Sequence, residues 1–410
     1  MIAPSALLIR VTGHDRPGLT HALTTILAQY DVRVLDIGQA VIHDGLAFGI
    51  LIELREELRS SALLTDLLLE SHRLGVEVKF SASTSEEYAA WVNAQARRRF
   101  IITLLGPAIG ASHIAQVSGV LAEAGLNIDR IDRLSSRVAL EPVESQPRFC
   151  VEFTATAPTA ATIVDEDTVR TGLARLTQAG DVDVAFQHDS IFRRNRRLVA
   201  FDMDSTLIEG EVIDELAALA GVGEQVRAIT EAAMRGELDF QQSFRRRVGL
   251  LKGLPESALQ QVIEGIPLTD GAERLVATLR KLGYKTAILS GGFTFFGRVL
   301  QKRLGIDHLH ANTLELRDGV VTGEVVPPIV DGARKAEMLQ VIAASESLSL
   351  EQCIAVGDGA NDLPMLRLAG LGIAFRAKPL VRSSARQSIS SMGLDGILYL
   401  IGVRDRDIGL

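Results

Sequence analysis

Four short apolar runs in the C-terminal half of the chain limit its fold more than any other feature. The runs are RLVAF, KTAIL, CIAV and LGIA, at residues 197–201, 285–289, 353–356 and 371–374. Turn-forming residues bound each run, and helical patterns separate the runs. Strands buried on both faces read as continuous apolar runs, and parallel strands need long, usually helical, connections. We therefore predict an α/β fold with a doubly wound parallel sheet of the Rossmann type over residues 196–410.

Between the first two runs, residues 209–270 show no strand pattern. Gly236, Gly253 and Pro255 interrupt helical patterns in this stretch. Because the stretch stands between two strands of the predicted sheet, we expect it to form a helical cap over the sheet rather than a part of it.

The N-terminal half contains an internal repeat. Residues 7–43 and residues 100–135 each read as an apolar strand, a glycine-containing turn, an amphipathic helix and a second strand. A further strand and helix follow in each copy. The order βαββαβ is typical of a small α+β, ferredoxin-like unit with helices on one face of an antiparallel sheet. We predict two such domains, at residues 1–85 and 97–188, and expect the arginine-rich run at 190–197 to be a solvated linker.

Composition excludes several functional classes. The formal net charge of −8 argues against nucleic acid, which prefers a basic surface. Cys150 and Cys353 are too few for a disulfide framework or a structural zinc site, so we expect both to be buried. The sequence shows neither a signal-peptide pattern nor an apolar run of about 18 residues. We expect a cytoplasmic protein that binds neither nucleic acid nor a membrane.

Polar residues follow the predicted strands at their carboxyl ends. Asp202 and Asp204 follow the first strand, Ser290 and Gly291 the second, and Asp358 the third. Ligands of open α/β sheets bind at this edge. Hydrolysis of a phosphate monoester needs a nucleophile, a proton donor for the leaving alkoxide and a hard cation such as Mg²⁺. These carboxylates meet those needs, and cations and amides nearby can hold the phosphate oxygens.

Four motifs in order carry a resemblance to a known family. They are DMDST at residues 202–206, Ser290-Gly291-Gly292, Lys335 before the third strand, and GDGAND at 357–362. Together they resemble the haloacid-dehalogenase-like phosphatase superfamily, over about residues 197–403. The DxDST form with an acidic helix start is similar to its phosphoserine phosphatases in particular.

This resemblance implies roles for the individual residues. Asp202 would be the nucleophile and Asp204 the general acid and base. Mg²⁺ would be held by the Asp202 carboxylate, the Asp204 backbone carbonyl and Asp358. Asn361 and Asp362 would support the phosphate and the metal from the next helix.

Substrate choice is expected to come from the cap. Glu211 can pair with a substrate ammonium, and Arg247 can bind a carboxylate with two parallel hydrogen bonds. Met234 and Phe240 would wall the pocket. The resemblance implies O-phospho-L-serine as substrate, in the last step of serine biosynthesis. The simpler alternatives are a helix-terminal glutamate, a surface arginine and two core side chains.

The N-terminal repeat carries a second resemblance. GHDRPGL at residues 13–19, followed by an amphipathic helix, is similar to the turn of an ACT domain, a module that often binds amino acids. Candidate ligand residues are Asp15 and Gly18 in the first copy and Gly106 and Asn127 in the second, where the aspartate is missing. The resemblance implies a homodimer, because ACT domains commonly pair edge to edge, and suggests serine as an effector. A dimerisation module without a ligand is the alternative.

Two other functions remain open at this point. The phosphorylated Asp202 could pass its phosphoryl group to another alcohol, such as homoserine, instead of water. Alternatively, the chain could be an amino-acid sensor with a vestigial catalytic domain, although an intact motif set argues against that. An ion pump with the same phosphoaspartate chemistry would need membrane spans.

Overall fold

A computed structural model describes residues 6–55, 62–93, 97–137, 148–177 and 181–408. The chain divides into two compact units, Met1–Arg97 and Arg98–Leu410. The strands are β1 Ala6–His14, β2 Val34–Ile42, β3 Gly45–Glu53, β4 Glu77–Ser83, β5 Arg99–Gly106, β6 Asn127–Arg133, β7 Phe149–Thr156, β8 Asp183–His188, β9 Leu198–Phe201, β10 Lys285–Phe293, β11 His308–Arg317, β12 Val320–Val326, β13 Cys353–Gly357, β14 Leu371–Phe375 and β15 Gln387–Ile389. The helices are α1 Leu19–Gln29, α2 Leu63–Arg73, α3 Ser85–Asn93, α4 Ala111–Glu123, α5 Glu166–Thr177, α6 Val212–Leu219, α7 Gly223–Met234, α8 Phe240–Gly249, α9 Glu256–Gly265, α10 Ala272–Lys281, α11 Thr294–Leu304, α12 Gly332–Ser345, α13 Leu363–Leu368, α14 Pro379–Ser384 and α15 Ile397–Leu400.

The first unit is a four-stranded antiparallel sheet with the strand order β2-β3-β1-β4. Helix α1 buries Leu19, Leu23 and Leu27, which recur every four residues and therefore share one face. The same spacing gives α2 its buried face. Strand β1 is central and supplies much of the core, whereas β2 is an edge strand whose side chains are largely exposed.

The second unit begins with the same arrangement. Strands β5 to β8 form an antiparallel sheet in the order β6-β7-β5-β8, and α4 and α5 pack together on it. The predicted βαββαβ order is thus confirmed in both copies. Strand β5 is buried along almost its whole length because the rest of the unit covers its other face.

A glycine at the end of the first strand of each copy has a steric reason. A Cβ atom at Gly13 would lie 2.8 Å from Cγ1 of Val76, and one at Gly106 would lie 2.7 Å from the carbonyl oxygen of Asp181. Both contacts are shorter than real Cβ contacts allow. The first strand and the segment before the last strand therefore approach too closely for any side chain there.

The remainder of the second unit is built on a seven-stranded sheet with the order β12-β11-β10-β9-β13-β14-β15. Strand β12 runs antiparallel to β11, and the other neighbouring pairs are parallel. The four apolar runs form the four central strands, as predicted. Strands β11, β12 and β15 were not predicted. Strands β12 and β15 are the edge strands and β11 lies next to β12, and polar residues interrupt the apolar pattern in all three.

The predicted cap consists of α6 to α9. Asp239 begins α8, because its side chain accepts a hydrogen bond of 2.7 Å from the amide of Gln242. The two ends of the cap lie side by side where they join the sheet. The Glu209 amide donates to the carbonyl of Pro267, and the Thr269 amide donates to that of Leu207, each at 3.0 Å.

The linker prediction is wrong for part of the arginine-rich run. Arg193 is fully buried and pairs with Glu152 of β7, and Arg196 is 5% exposed. Both side chains lie at the seam between the β5–β8 sheet and the seven-stranded sheet. Gln387 of β15 joins the two sheets there, since its side-chain amide accepts from the Phe186 amide at 2.9 Å and donates to the Phe186 carbonyl. Burial follows from this packing, which local charge does not reveal.

Both cysteines are buried and free, as predicted. Among the described residues, no helix is long and apolar enough to cross a membrane.

We expect Gly106→Ala to lower the free energy of unfolding by about 1–3 kcal/mol, because the new methyl group would overlap the Asp181 carbonyl. Gly119→Ala is the matched control, since Gly119 is an exposed residue within α4 whose Cβ position is open. The control should stabilise the protein by up to about 1 kcal/mol. Urea denaturation followed by circular dichroism compares the two, and equal effects would contradict the close approach.

Candidate active site

Three carboxylates meet at the carboxyl edge of the seven-stranded sheet. Asp202 follows β9, while Asp358 and Asp362 follow the neighbouring strand β13. The register pairs Phe201 with Val356, so the two strands end side by side. One carboxylate oxygen from each of the three residues lies within 4.8 Å of the other two. The parallel sheet thus brings together groups that are about 160 residues apart in the sequence.

The turn after β9 orients Asp202. Oδ1 of Asp202 accepts a hydrogen bond of 2.7 Å from the amide of Met203. Ser205 adopts a positive φ of 53°, an uncommon conformation for serine, and its amide donates to the carbonyl of Gly210 at 2.9 Å. The chain consequently folds back over its own loop, and Asp202 and Asp204 reach the same cleft.

Asp204 is held at the start of α6. Its Oδ1 accepts a hydrogen bond of 3.0 Å from the amide of Val212, the first residue of that helix. Burial, followed by the negative charges of Glu211 and Asp202, raises the pKa of Asp204 well above its usual range. A raised pKa suits a general acid, because the carboxyl group then keeps its proton to a higher pH.

Lys335 forms ion pairs with two of the three carboxylates. It is fully buried, and its Nζ lies 2.8 Å from Oδ2 of Asp202 and 2.6 Å from Oδ1 of Asp362. Burial alone would lower the pKa of Lys335, but the two carboxylates outweigh burial and raise it. The side chain therefore stays an ammonium ion within the site.

One ammonium does not balance three carboxylates. Burial and the charge of Asp202 raise the pKa of Asp358 to about 7, and the same two causes raise that of Asp362. A cation bound there would offset the repulsion among these carboxylates, and the cluster offers only oxygen ligands. Such a set fits a hard divalent cation.

The end of β10 supplies the second motif. The Ser290 side chain is buried, and its Oγ accepts a hydrogen bond of 2.9 Å from the amide of Gly292. The carbonyl of Gly291 accepts from Nδ2 of Asn312 at 2.8 Å, and Oδ1 of Asn312 accepts from the amide of Val330 at 2.7 Å. Asn312 thereby fixes this loop. It was missed in the sequence because it lies on the unpredicted strand β11.

Thr206 is a second residue that sequence reasoning missed. It is fully buried, and its hydroxyl lies 3.4 Å from Oδ1 of Asp358. The position of Thr206 within the DMDST motif could have indicated a role in the site. Its contact with Asp358, however, depends on the pairing of β9 with β13. Asn361 lies in the turn between β13 and α13, close to Asp358 and Asp362 in the chain.

Two of the cap residues lie against this edge. Phe240 stacks on Phe244 with a centroid distance of 5.8 Å. Its Cζ atom is 3.1 Å from the position of a Cβ at Gly291, so the ring covers the loop after β10. The Nε of Arg247 is buried and has no hydrogen-bond partner among the described residues. A buried guanidinium N–H without a partner is costly, so this group is suited to an anionic ligand.

Glu211 lies at the start of α6 and accepts a hydrogen bond of 3.0 Å from the Ser205 hydroxyl. Burial raises the pKa of Glu211, and the positive charge of Arg247 opposes the shift. The structure therefore places Glu211 and Arg247 near each other. Met234 is the last residue of α7, and its side chain lies outside the described residues.

The candidate ligand residues of the ACT-like domains belong to the two four-stranded domains and not to the seven-stranded sheet. In the first unit the Asp15 amide donates to the carbonyl of Asp44 at 2.7 Å, and Gly18 begins α1 with a φ of 94°. In the second unit Gly106 has the packing role given above. Asn127 begins β6 and donates to Asp129 at 2.6 Å. Their ligand roles stay predictions.

We expect Gly292→Ala to lower kcat/KM about 100-fold without unfolding the protein. A Cβ there would lie 2.4 Å from Oδ2 of Asp204 and 2.6 Å from Cε of Met203, so the Asp204 carboxyl group would be displaced. Gly291→Ala is the matched control, because its closest contact is the edge of the Phe240 ring, which can shift with the cap. A smaller loss for Gly292→Ala than for Gly291→Ala would contradict this geometry.

Three segments of the chain match known families. Residues 5–81 and residues 99–187 each match the ACT domain. Residues 196–370 match the haloacid dehalogenase-like hydrolases.

Whole relatives match as well. The chain is 41% identical over 405 residues to phosphoserine phosphatase of Streptomyces coelicolor, over 98% of this chain and 93% of that protein. It is 40% identical over 411 residues to phosphoserine phosphatase SerB2 of Mycobacterium tuberculosis, over 100% of this chain and 96% of that protein. The crystal structure of a probable phosphoserine phosphatase from Vibrio cholerae, in its unliganded form, is 33% identical with a TM-score of 0.57, and the match covers 76% of this chain and 88% of that chain. The chain therefore belongs to the phosphoserine phosphatase family of the haloacid dehalogenase-like hydrolases, and it carries two ACT domains ahead of its hydrolase domain.

Proposed function

We propose that this protein hydrolyses O-phospho-L-serine to L-serine and phosphate through a phosphorylated Asp202. The observation that carries the proposal is the arrangement of Asp202, Asp204 and Lys335. The Asp202 carboxylate pairs with the buried Lys335 ammonium. Asp204 lies in the same turn as Asp202, and the pKa of its carboxyl group is raised. The names of the relatives support phosphoserine as the substrate.

In the first step Asp202 attacks the phosphorus atom. The new bond joins an Asp202 carboxylate oxygen to phosphorus, and the bond between phosphorus and the serine oxygen breaks. Asp204 gives its proton to that oxygen, so the leaving group departs as neutral serine. Lys335, the Ser290 hydroxyl and the Gly291 amide hold the phosphoryl oxygens as negative charge builds up on them.

In the second step water attacks the phosphorus atom of the aspartyl phosphate. The Asp204 carboxylate, now without its proton, accepts one from the water. The bond between Asp202 and phosphorus breaks, and the free Asp202 carboxylate and inorganic phosphate result. Asp204 is protonated again and ready for the next cycle.

We propose Mg²⁺ as the cofactor, because three carboxyl groups that repel one another meet at this point and offer only oxygen ligands. The Asp202 and Asp358 carboxylates and the Asp204 backbone carbonyl would hold it, with Asp362 in support. When bound, the ion offsets the repulsion between the nucleophile and the phosphate. The side chains of Lys335, Ser290 and Asp204 have the roles described above and do not hold the ion.

Cap residues would select the substrate. Arg247 offers an unpaired guanidinium N–H for the carboxylate of phosphoserine, and Glu211 offers a carboxylate for its ammonium group. Phe240 and Met234 would exclude water, and Asn361 would support the phosphate. Arg247 and Glu211 would therefore pair with the carboxylate and the ammonium group of phosphoserine. A simple aryl phosphate lacks both groups.

Serine binding at the ACT domains, a homodimer and a cytoplasmic location remain predictions from the sequence. Transfer to another alcohol uses the same aspartyl phosphate, and analysis of products in the presence of homoserine separates transfer from hydrolysis. Phosphohomoserine as the main product would overturn the hydrolytic assignment.

The substrate assignment is tested by phosphate release from phosphoserine, phosphothreonine and p-nitrophenyl phosphate at equal concentrations, with Mg²⁺ or with EDTA. We expect EDTA to abolish release. We expect kcat/KM for phosphoserine to exceed that for p-nitrophenyl phosphate by about 100-fold or more, because the aryl ester leaves the charges of Arg247 and Glu211 unpaired. Metal-dependent activity without this preference would contradict the assignment of phosphoserine as the substrate.

The carboxylate contact is tested by Arg247→Gln. We expect kcat/KM for phosphoserine to fall by about 10- to 100-fold, as for loss of a hydrogen bond to a charged group. Activity on p-nitrophenyl phosphate should change little. Arg246→Gln is the matched control, because Arg246 is the neighbouring residue on α8 but is exposed. An equal loss on both substrates would show that Arg247 does not bind the carboxylate.

A further inference from the structure

A small cavity of about 160 Å³ lies within the second unit, away from the catalytic edge. It is lined by residues of β8 and α5, by the segment that leads into β9, and by residues around β14 and β15. We infer that this cavity is a binding site for inorganic phosphate, which would join the second ACT domain to the hydrolase domain. The inference rests on the cavity itself and does not depend on the proposed reaction.

Three arginines surround the cavity. They come from three different parts of the chain: Arg170 from α5, Arg196 from the segment before β9, and Arg386 from the loop between α14 and β15. Glu351 is the one acidic residue that lines the same cavity. The lining therefore has an excess of positive charge, although the chain as a whole has a net charge of −8.

Two of these cations lack a counter-ion. Within the described part of the chain, neither Arg196 nor Arg386 has a carboxylate within 4.0 Å, and Arg170 has Glu166 at 3.7 Å. Arg196 is 5% exposed, and its Nε is buried without a hydrogen-bond partner among the described residues. Burial, together with the nearby charge of Arg193, lowers the pKa of Arg196 to about 10. Nη1 of Arg196 donates to the carbonyl of Arg193 at 3.1 Å, but a buried cation without an anionic partner is still costly.

Arg170 is fixed in place. Its Nη1 donates to the carbonyls of Phe186 at 3.2 Å and Arg386 at 3.3 Å. Its guanidinium also lies over the Phe186 ring, 4.9 Å from the centroid. A cation held in this way loses little conformational entropy when it binds a ligand.

The choice of phosphate comes from size and from Gln187. At about 160 Å³ the cavity is smaller than the roughly 300–1,000 Å³ of ordinary ligand pockets, so a small ion fits best. The Gln187 amide is oriented because its Nε2 donates to the carbonyl of Leu400 at 3.0 Å. Its Oε1 is then a buried acceptor without a donor among the described residues. Hydrogen phosphate has both oxygens for the arginines and a proton for this oxygen, whereas sulfate and chloride have no proton to donate.

The test uses the full chain in EDTA without substrate, with phosphate, sulfate or chloride at constant ionic strength. Calorimetric titration measures binding, and thermal unfolding measures stabilisation. Because the catalytic edge also binds phosphate, the wild type is compared with Arg386→Gln, which removes an exposed arginine outside that edge. Arg298→Gln is the matched control, since Arg298 is an exposed residue of α11 and does not line the cavity.

We expect the wild type and Arg298→Gln to bind phosphate in the cavity in addition to the catalytic edge. Arg386→Gln should lose the cavity site or bind phosphate there at least about 10-fold more weakly. We expect sulfate to bind the additional site more weakly than phosphate. Equal phosphate binding by wild type and Arg386→Gln would overturn the proposal, and so would sulfate binding as tight as that of phosphate. If Arg386→Gln fails to fold, Arg170→Lys carries the test, because lysine keeps the charge but loses the planar fork.

Discussion

Lys335 makes the two ion pairs on which the catalytic edge depends. Asp202, Asp358 and Asp362 are close enough to repel one another, and burial strengthens that repulsion. The Lys335 ammonium lies between Asp202 and Asp362 and pairs with both carboxyl groups in the folded protein. A buried lysine without these partners would lose its proton. The lysine and the carboxylates therefore stabilise each other. The cluster still offers carboxylate oxygens as ligands for a further cation.

The sheet places these charges, and backbone geometry orients them. Parallel pairing of β9 with β13 puts Asp202 beside Asp358, and β10 brings Ser290 to the other side of β9. Close approach then excludes side chains at Gly292, where a Cβ would meet Asp204. Asp202 and Asp204 thus come from the turn after β9, whereas Ser290 and Gly291 come from β10, and each is fixed by contacts with its neighbours. Little rearrangement of this edge is needed when substrate arrives.

The central sheet and its polar edge could be predicted because both have local signals. Buried strands read as apolar runs, and Asp202 and Asp358 follow such runs directly. Strands β11, β12 and β15 lack those runs, so Asn312 on β11 escaped notice. Arg193 and Arg196 look like part of a solvated linker, and packing where the second ACT domain meets the hydrolase domain buries them. Burial of a charged residue depends on distant partners, which a single sequence does not reveal.

The central claim is that Asp202 becomes phosphorylated during turnover. Acid quenching of the enzyme with phosphoserine, followed by borohydride reduction, converts an acyl phosphate into an alcohol that peptide mass mapping can locate. The account predicts this change at Asp202, only when phosphoserine is present, and predicts its absence in Asp202→Asn. Reduction at a different carboxylate, or full phosphatase activity in Asp202→Asn, would contradict the account.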